Sequence, residues 1–495
     1  MPPKTKENLF RLALLPLTAI LLIATGCTSS LTNATQSTAT GPTFVVGTDA
    51  PLASVVSFQL QLTDIELTNS TTSAKSGNLL AQTATVDFAR YNGLQGLVDM
   101  TGVQPGTYDG VTITMGTAQI GYLNVSTCTP TPCSPAAPTI VTEGATLSSP
   151  TVSISLPHTL TVNATGGVPV GLRLDLDLSK TIPVTNGSFG TAVTPTFDVS
   201  TVARTDTGAH IDWFAGGVVT PPTGTTATNS FVIQGPHGEN FTIDTTSSTG
   251  WDGDASLSKL ETDGASAVVA VAGQFDPAAQ TFDADEIAIL TDTHFYADGL
   301  VTYVSPSSGP ATAMDFYVRG VLPSELTEVP LGQIAQVSIT GNENYGIYWM
   351  HNAFTDLLFN ASALTPGQEI TVGGADPTAS PFDVNRIHLQ NWGYRGTIVA
   401  GSQSPGANVF GTDGSFTMTV NGFAGQVIPS NVVVYLGPQC DFRYGLGAFG
   451  GLSDGTTVRV VGLLLKNSST GQLVLLARHV DGLTFTDMTT AAAQQ

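Results

Sequence analysis

GLSDG at residues 451–455 fits G-x-S-x-G, the sharpest catalytic signature in the chain. A nucleophile elbow of that type sets its serine on a strained turn between an apolar strand and a helix, presenting Oγ to a substrate. Ser453 instead precedes a strand, TVRVVG, and two related segments carry KLETDGAS and ALTPGQ at the same point, with no equivalent serine. The pattern reads as a turn, which makes a secreted serine hydrolase the weakest function considered. Paired carboxylates can act as acid and base, and VGLRLDLDL at 170–178 offers Asp175 and Asp177. They alternate with Leu172, Leu174, Leu176 and Leu178, so a solvated polar face is expected for them. The histidines, His158, His210, His237, His294, His351, His388 and His479, contain neither H-E-x-x-H nor an i, i+2 pair, and no metal site is predicted. His388 and His479 both fall in closing strands, but aligning Ile387 with Val480 puts them at non-equivalent positions. Acidic loops such as GWDGDAS and FDADE lack the residue order of a calcium loop. No glycine-rich loop between a strand and a helix offers a phosphate cradle. No catalytic residue and no cofactor are expected.

Binding chemistry is concentrated in NYGIYWMHNAF, 344–354, which brings Tyr345, Tyr348, Trp349, His351 and Phe354 together in a chain with only 7% aromatics. Exposed aromatics stack on sugars or anchor protein contacts. Tyr345 aligns with Trp251 and Phe442 and is expected in a core. Tyr348 and Trp349 are adjacent, so on a strand one faces outward, and that one is the ligand-binding candidate. Of four cysteines, Cys128 and Cys133 flank CTPTPC and are expected to pair in an oxidising compartment. Cys440, in GPQCDF, is expected to be a small buried hydrophobe.

The compartment follows from the N-terminus. Lys4, Lys6 and Arg11 precede an apolar run, Leu12 to Ile23, too short to cross a hydrocarbon core but suited to an export signal. ATGC at 24–27 follows, and this resembles the lipobox of bacterial lipoproteins, with Ala24 where leucine is commoner. The resemblance implies cleavage after residue 26, acylation of Cys27 and a lipid bilayer as partner. Thr28, where aspartate is often the retention signal for the inner membrane, favours the outer membrane, facing the cell surface or the periplasm. Residues 27–42 carry almost no large apolar side chain and form a flexible tether. Removing residues 1–26 takes away three basic groups and one acid, so the net charge of −22 becomes −24. A surface that acidic excludes nucleic acid as a partner.

The remaining chain is rich in Thr, Ser, Gly, Val and Ala, as expected of an all-β exported protein. Residues 43–204 read as an antiparallel β-sandwich, with Val56, Phe58, Leu60 and Leu62 at period two and Val111, Ile113 and Met115 facing inward. TDAPL at 48–52, DIEL at 64–67, VDFARYNGL at 86–94 and VQPGTYDGVTITM at 103–115 resemble the domain-of-unknown-function family four-three-eight-two. That resemblance implies a transthyretin-like sandwich and no activity.

Three later segments repeat an ordered set of marks about 80 to 95 residues apart. WFAGGVV, FYADGLV and GYRGTIV open them; AVVAVAGQF, PGQEITVGG and DGTTVRVVGLL follow; DADEIAIL, DVNRIHLQ and LLARHVDGL close them. They predict three tandem small barrels of about six strands at 211–290, 295–390 and 391–484, ahead of a disordered tail at 485–495, with matched glycines at bulges where the sheet curls. The pattern resembles family five-six-six-six among the domains of unknown function, which implies OB-like geometry. Together these features predict a cell-envelope lipoprotein with a non-catalytic binding or structural role. The alternative is a glycan-binding adhesin using the 344–354 aromatics, and the partners expected are an envelope protein or a glycan.

Overall fold

Strand formation follows the alternation. In Val55–Thr68 the side chains of Phe58, Leu60 and Leu62 are buried, and across the pair Met115 of Gly106–Asn124 lies opposite Leu62, while Ile113 and Val111 lie opposite the buried Ile65 and Leu67. The computed structural model describes residues 40–482 except 51–54, 92–93, 125–137, 165–169, 186–187, 204–209, 225–227, 235–239, 252–254, 277–278, 280, 290–294, 323–327, 330, 348–358, 407–413, 421–430, 444–445 and 467–470. Cys27, Cys128, Cys133, Tyr348, Trp349, the tether before Thr40 and the tail lie outside the described residues. None of the described helices is long and apolar enough to cross a membrane.

The N-terminal region is a two-sheet sandwich. One sheet runs Phe197–Ala203, Val170–Asp177, Gly41–Ala50, Gly96–Val103. The other is built on Gly106–Asn124 and Val55–Thr68, with shorter strands on their flanks. The expected antiparallel pattern has two exceptions among the described strands of the sandwich: Gly41–Ala50 runs parallel to Val170–Asp177, with Phe44 opposite Gly171 and Asp49 opposite Leu176, and the two-residue strand Ala192–Val193 runs parallel to Thr139–Leu147. A register shift between Val55 and Ser57 turns Val56 out of the sandwich core and toward Leu300 and Tyr317 of the second barrel. A bulge re-aims a side chain in this way because one extra residue breaks the alternation.

Three barrels follow, each closed by five strands in the order 1-2-3-5-4-1 with strands 3 and 5 parallel, which is OB-like Greek-key topology. The first uses His210–Thr220, Asn229–Gln234, Asn240–Thr245, Val268–Asp276 and Thr281–Ile289. Only this barrel has, among the described residues, an α-helix between strands 3 and 4, Leu257–Asp263, whose first turn is capped by Ser256 Oγ accepting from Lys259 N at 3.1 Å. The second uses Phe295–Ser305, Ala313–Leu322, Ile334–Ser338, Glu369–Gly374 and Phe382–Gln390. The third uses Trp392–Ile398, Gly414–Val420, Asn431–Arg443, Thr457–Lys466 and Leu473–Gly482. The sixth strand expected in each is a short parallel addition to strand 5 in the first two barrels, whereas in the third the end of strand 3 takes that place and the sixth strand, Ser404–Pro405, pairs antiparallel with strand 2. Trp251 lies opposite Ile287, Tyr345 opposite Ile387 and Phe442 opposite Val480, so the three aromatics are equivalent in register.

Matched glycines permit the closure. A Cβ on Gly216, Gly299 or Gly396 of strand 1 would overlap the strand-2 carbonyl of Gln234, Tyr317 or Thr419. A Cβ on Gly273, Gly374 or Gly462 of strand 4 would overlap the strand-5 carbonyl of Asp283, Asp383 or Leu476, and each lies at a register shift.

One expectation is overturned. Asp175 and Asp177 do not form a solvated face: Arg173, Asp175 and Asp177 are only 4%, 3% and 7% exposed. The alternation itself is right, since Leu172, Leu174 and Leu176 face the sandwich core, but the polar face is covered by the third barrel. Domain boundaries are apolar as well. Phe44 and Val202 of the sandwich belong to the core of the first barrel, and Leu463, Leu465, Val474 and Leu476 of the third belong to that of the second.

Adjacent glycines provide a direct check on closure. Gly216→Ala is expected to destabilise the protein by about 1–3 kcal/mol through the strand-2 contact. Gly217→Ala, where an added Cβ meets nothing within 4 Å, is expected to stay within about 0.5 kcal/mol of wild type in denaturant titrations.

Candidate binding site

Charged side chains are scarce, and many are buried between domains. Arg459, on strand 4 of the third barrel, is 1% exposed. Its Nε donates to Asp481 Oδ2 at 2.9 Å, its NH2 lies 2.9 Å from the same oxygen, and its NH1 stands 3.8 Å from Asp175 Oδ2 of the sandwich. Asp481 therefore holds the guanidinium, with Asp175 as a longer-range partner. Burial pushes the Asp175 carboxyl above the usual range against the pull of Arg459 and Arg173. His479 Nε2 lies 3.7 Å from Asp481 Oδ2. A few residues along, Asp177 accepts from Ser179 Oγ at 2.5 Å, pairs with Lys180 at 3.0 Å and faces Arg395 of the third barrel at 3.9 Å. Burial would raise its pKa, but these partners outweigh it and hold the carboxyl low.

A second polar layer lies between the sandwich and the second barrel, and here it borders open space. A cleft of about 320 Å³ is lined from the sandwich by Gln59, Thr85, Asp87, Arg90 and Tyr91. Tyr317, Arg319 and Leu331 of the second barrel form its other wall. Asp87 ends the short strand Ala84–Asp87 and is fixed by accepting from Phe58 N at 2.8 Å and Ser57 Oγ at 2.7 Å. The short helix Phe88–Tyr91 then carries Arg90, whose NH2 donates to both carboxylate oxygens of Asp298 at 3.3 and 3.2 Å. Asp298 keeps the Arg90 guanidinium firmly protonated. Arg319, on strand 2 of the barrel, donates from NH1 to Glu369 Oε2 at 3.3 Å and lies 4.0 Å over the Trp392 ring of the third barrel. Its Nε is buried without a hydrogen-bond partner. Burial lifts Glu369 to about 7 despite Arg319 beside it. Tyr91 and Tyr317 are both held above the ordinary tyrosine value, again chiefly by burial.

The residues singled out from sequence do not converge on this cleft. Ser453 sits exposed in a turn where Thr456 N donates to its carbonyl at 3.1 Å and Gly455 takes φ 73°. His388 and His479 are buried at non-equivalent positions, since the strand-5 registers align His388 with Asp481 and His479 with Arg386. Burial brings His388 down to about 3. No group of three or more metal-ligating side chains occurs among the described residues. Tyr345 is half-buried against Phe359, with its OH 3.3 Å from Glu343 Oε2. The Cys440 thiol is half-buried and pushed up to about 12, chiefly by burial, which suits a packing role.

Arg90, Asp298, Arg319, Glu369, Arg459 and Asp481 were missed. For Arg319 and Arg459 the signal is a charge inside an otherwise apolar strand, as in FYVRGVL and VRVVGLLL. In a chain with 11% charged residues, such a charge points to a buried partner.

No protein-family model matches the chain, and no curated protein matches it. Three chains among the solved structures do. One, titled "drosophila Unr CSD456", is similar over 55% of this chain and 97% of its own length, at 10% identity and a TM-score of 0.14. That likeness carries no argument about function.

Two variants test the electrostatics. Arg459→Ala strands two buried carboxylates and is expected to cost about 3–5 kcal/mol, whereas the apolar triple replacement R459M/D175L/D481L is expected to recover most of it. For Glu369 the folded pKa lies above the unfolded one, so the folded state holds the proton more tightly and stability falls as pH rises from about 4.5 to about 7. Glu369→Gln lacks that slope. Its stability relative to wild type is expected to rise between pH 5 and pH 8 in denaturant titrations.

Proposed function

We propose that this protein is a lipid-anchored component of the bacterial outer membrane with a non-catalytic binding or structural role. The anchor is supported by the basic N-terminus, the twelve-residue apolar run and Cys27 behind it. The non-catalytic role is supported chiefly by one observation: charged side chains at the domain junctions join one domain to the next. Arg459 ties the third barrel to the sandwich, Arg90 ties the sandwich to the second barrel, and Arg386 NH1 donates to Ile289 O of the first at 3.1 Å. Catalysis instead needs such groups to converge on one reacting atom.

Metabolic labelling with an alkyne fatty acid tests the anchor. Wild-type protein is expected to carry the label and sediment with outer membranes, and Cys27→Ala to lose both properties. A wild-type protein without label would overturn the anchor.

A further inference from the structure

The cleft between the sandwich and the second barrel has an unusual charge balance. Two guanidinium groups, Arg90 and Arg319, are matched by three carboxyl groups, Asp87, Asp298 and Glu369, so no net positive field would hold an anion. The chain as a whole is strongly acidic, which opposes an anion further. A cation finds no free carboxylate either, because Asp298 and Glu369 already face arginines and Asp87 accepts from Ser57 and Phe58. What the walls offer is a close mixture of donors and acceptors: the Gln59 amide, the Thr85 hydroxyl, the Tyr91 and Tyr317 phenols and the remaining lone pairs of Asp87.

Arg319 lies in the wall with its guanidinium already engaged, donating to Glu369 and lying over the Trp392 ring. Leu331, 60% exposed, forms an apolar lip beside these polar groups. A ligand that fits must be neutral, must donate and accept at neighbouring atoms, and must carry an apolar face. Polyhydroxylated rings have those properties, since each hydroxyl does both and the ring C–H groups form a hydrophobic side. A volume of about 320 Å³ lies at the small end of ligand sites and suits one or two rings.

We infer that the cleft lined by Gln59, Thr85, Asp87, Arg90, Tyr317 and Arg319 is a binding site for a neutral mono- or disaccharide. The site is made by the folded body and does not depend on the anchor at Cys27, so the two ideas fail separately.

Thr85 is exposed at the mouth of the cleft on a strand, so Thr85→Trp blocks entry without disturbing the core. The full chain in detergent is titrated by NMR and calorimetry with glucose, N-acetylglucosamine, maltose, lactose and diacetylchitobiose, and with glucuronate as an anionic control. At least one neutral sugar is expected to bind with a Kd of about 1 mM or tighter. Thr85→Trp is expected to weaken it at least tenfold with an unchanged Tm, and Asp87→Asn to weaken it several-fold. No binding by any neutral sugar overturns the inference. So does preference for glucuronate, or binding that survives Thr85→Trp and is lost in Trp349→Ala.

Discussion

The arrangement of the molecule depends on one buried guanidinium. Arg459 lies inside the junction of two domains, with Asp481 of its own barrel on one side and Asp175 of the sandwich on the other. A charge taken out of water is costly unless it is paired, so Arg459 and the two carboxylates depend on one another. A buried pair of this kind is weak as a source of net stability but strict about geometry. It penalises other ways of docking the third barrel on the sandwich, because each leaves charge unmatched. Arg395 beside Asp177 and Arg90 beside Asp298 extend the same constraint along neighbouring surfaces.

Apolar contact fills the space around these pairs. Strands 4 and 5 of the barrels are covered inside by their own core and outside by a neighbouring domain. Thr457–Lys466 and Leu473–Gly482 are buried along almost their whole length for that reason. Gln368 is shared in the same way, donating to Ala363 O at 3.0 Å within its barrel and to Leu464 O at 2.9 Å in the next. Alternation, repeat spacing and glycine placement made the strands, the barrels and their number legible in the sequence. The equivalence of Trp251, Tyr345 and Phe442 was legible too, because an aromatic opposite the closing strand recurs once per repeat.

The docking was not legible, and the reason is physical. A polar side chain opposite a leucine means water or another domain, and period two cannot distinguish them. DLDL was misread on that account. The distinguishing signal lay in the barrels, where LVLLARHV and VRVVGLLL are apolar on both faces, as strands are when both sides are covered. The cleft escaped for a related reason: its walls come from residues 59–98 and 317–332, brought together only by the docking.

The sandwich strand Gly41–Ala50 has a mechanical consequence. It is flanked on one side by Gly96–Val103 and on the other by Val170–Asp177 across eight consecutive residue pairs. Tension applied ahead of residue 41 and directed along this strand loads both hydrogen-bond ladders in shear. Many bonds must then yield together, whereas a strand peeled from an edge gives way one bond at a time. A pull from that side therefore meets, as the first strand among the described residues, one that is held along both edges.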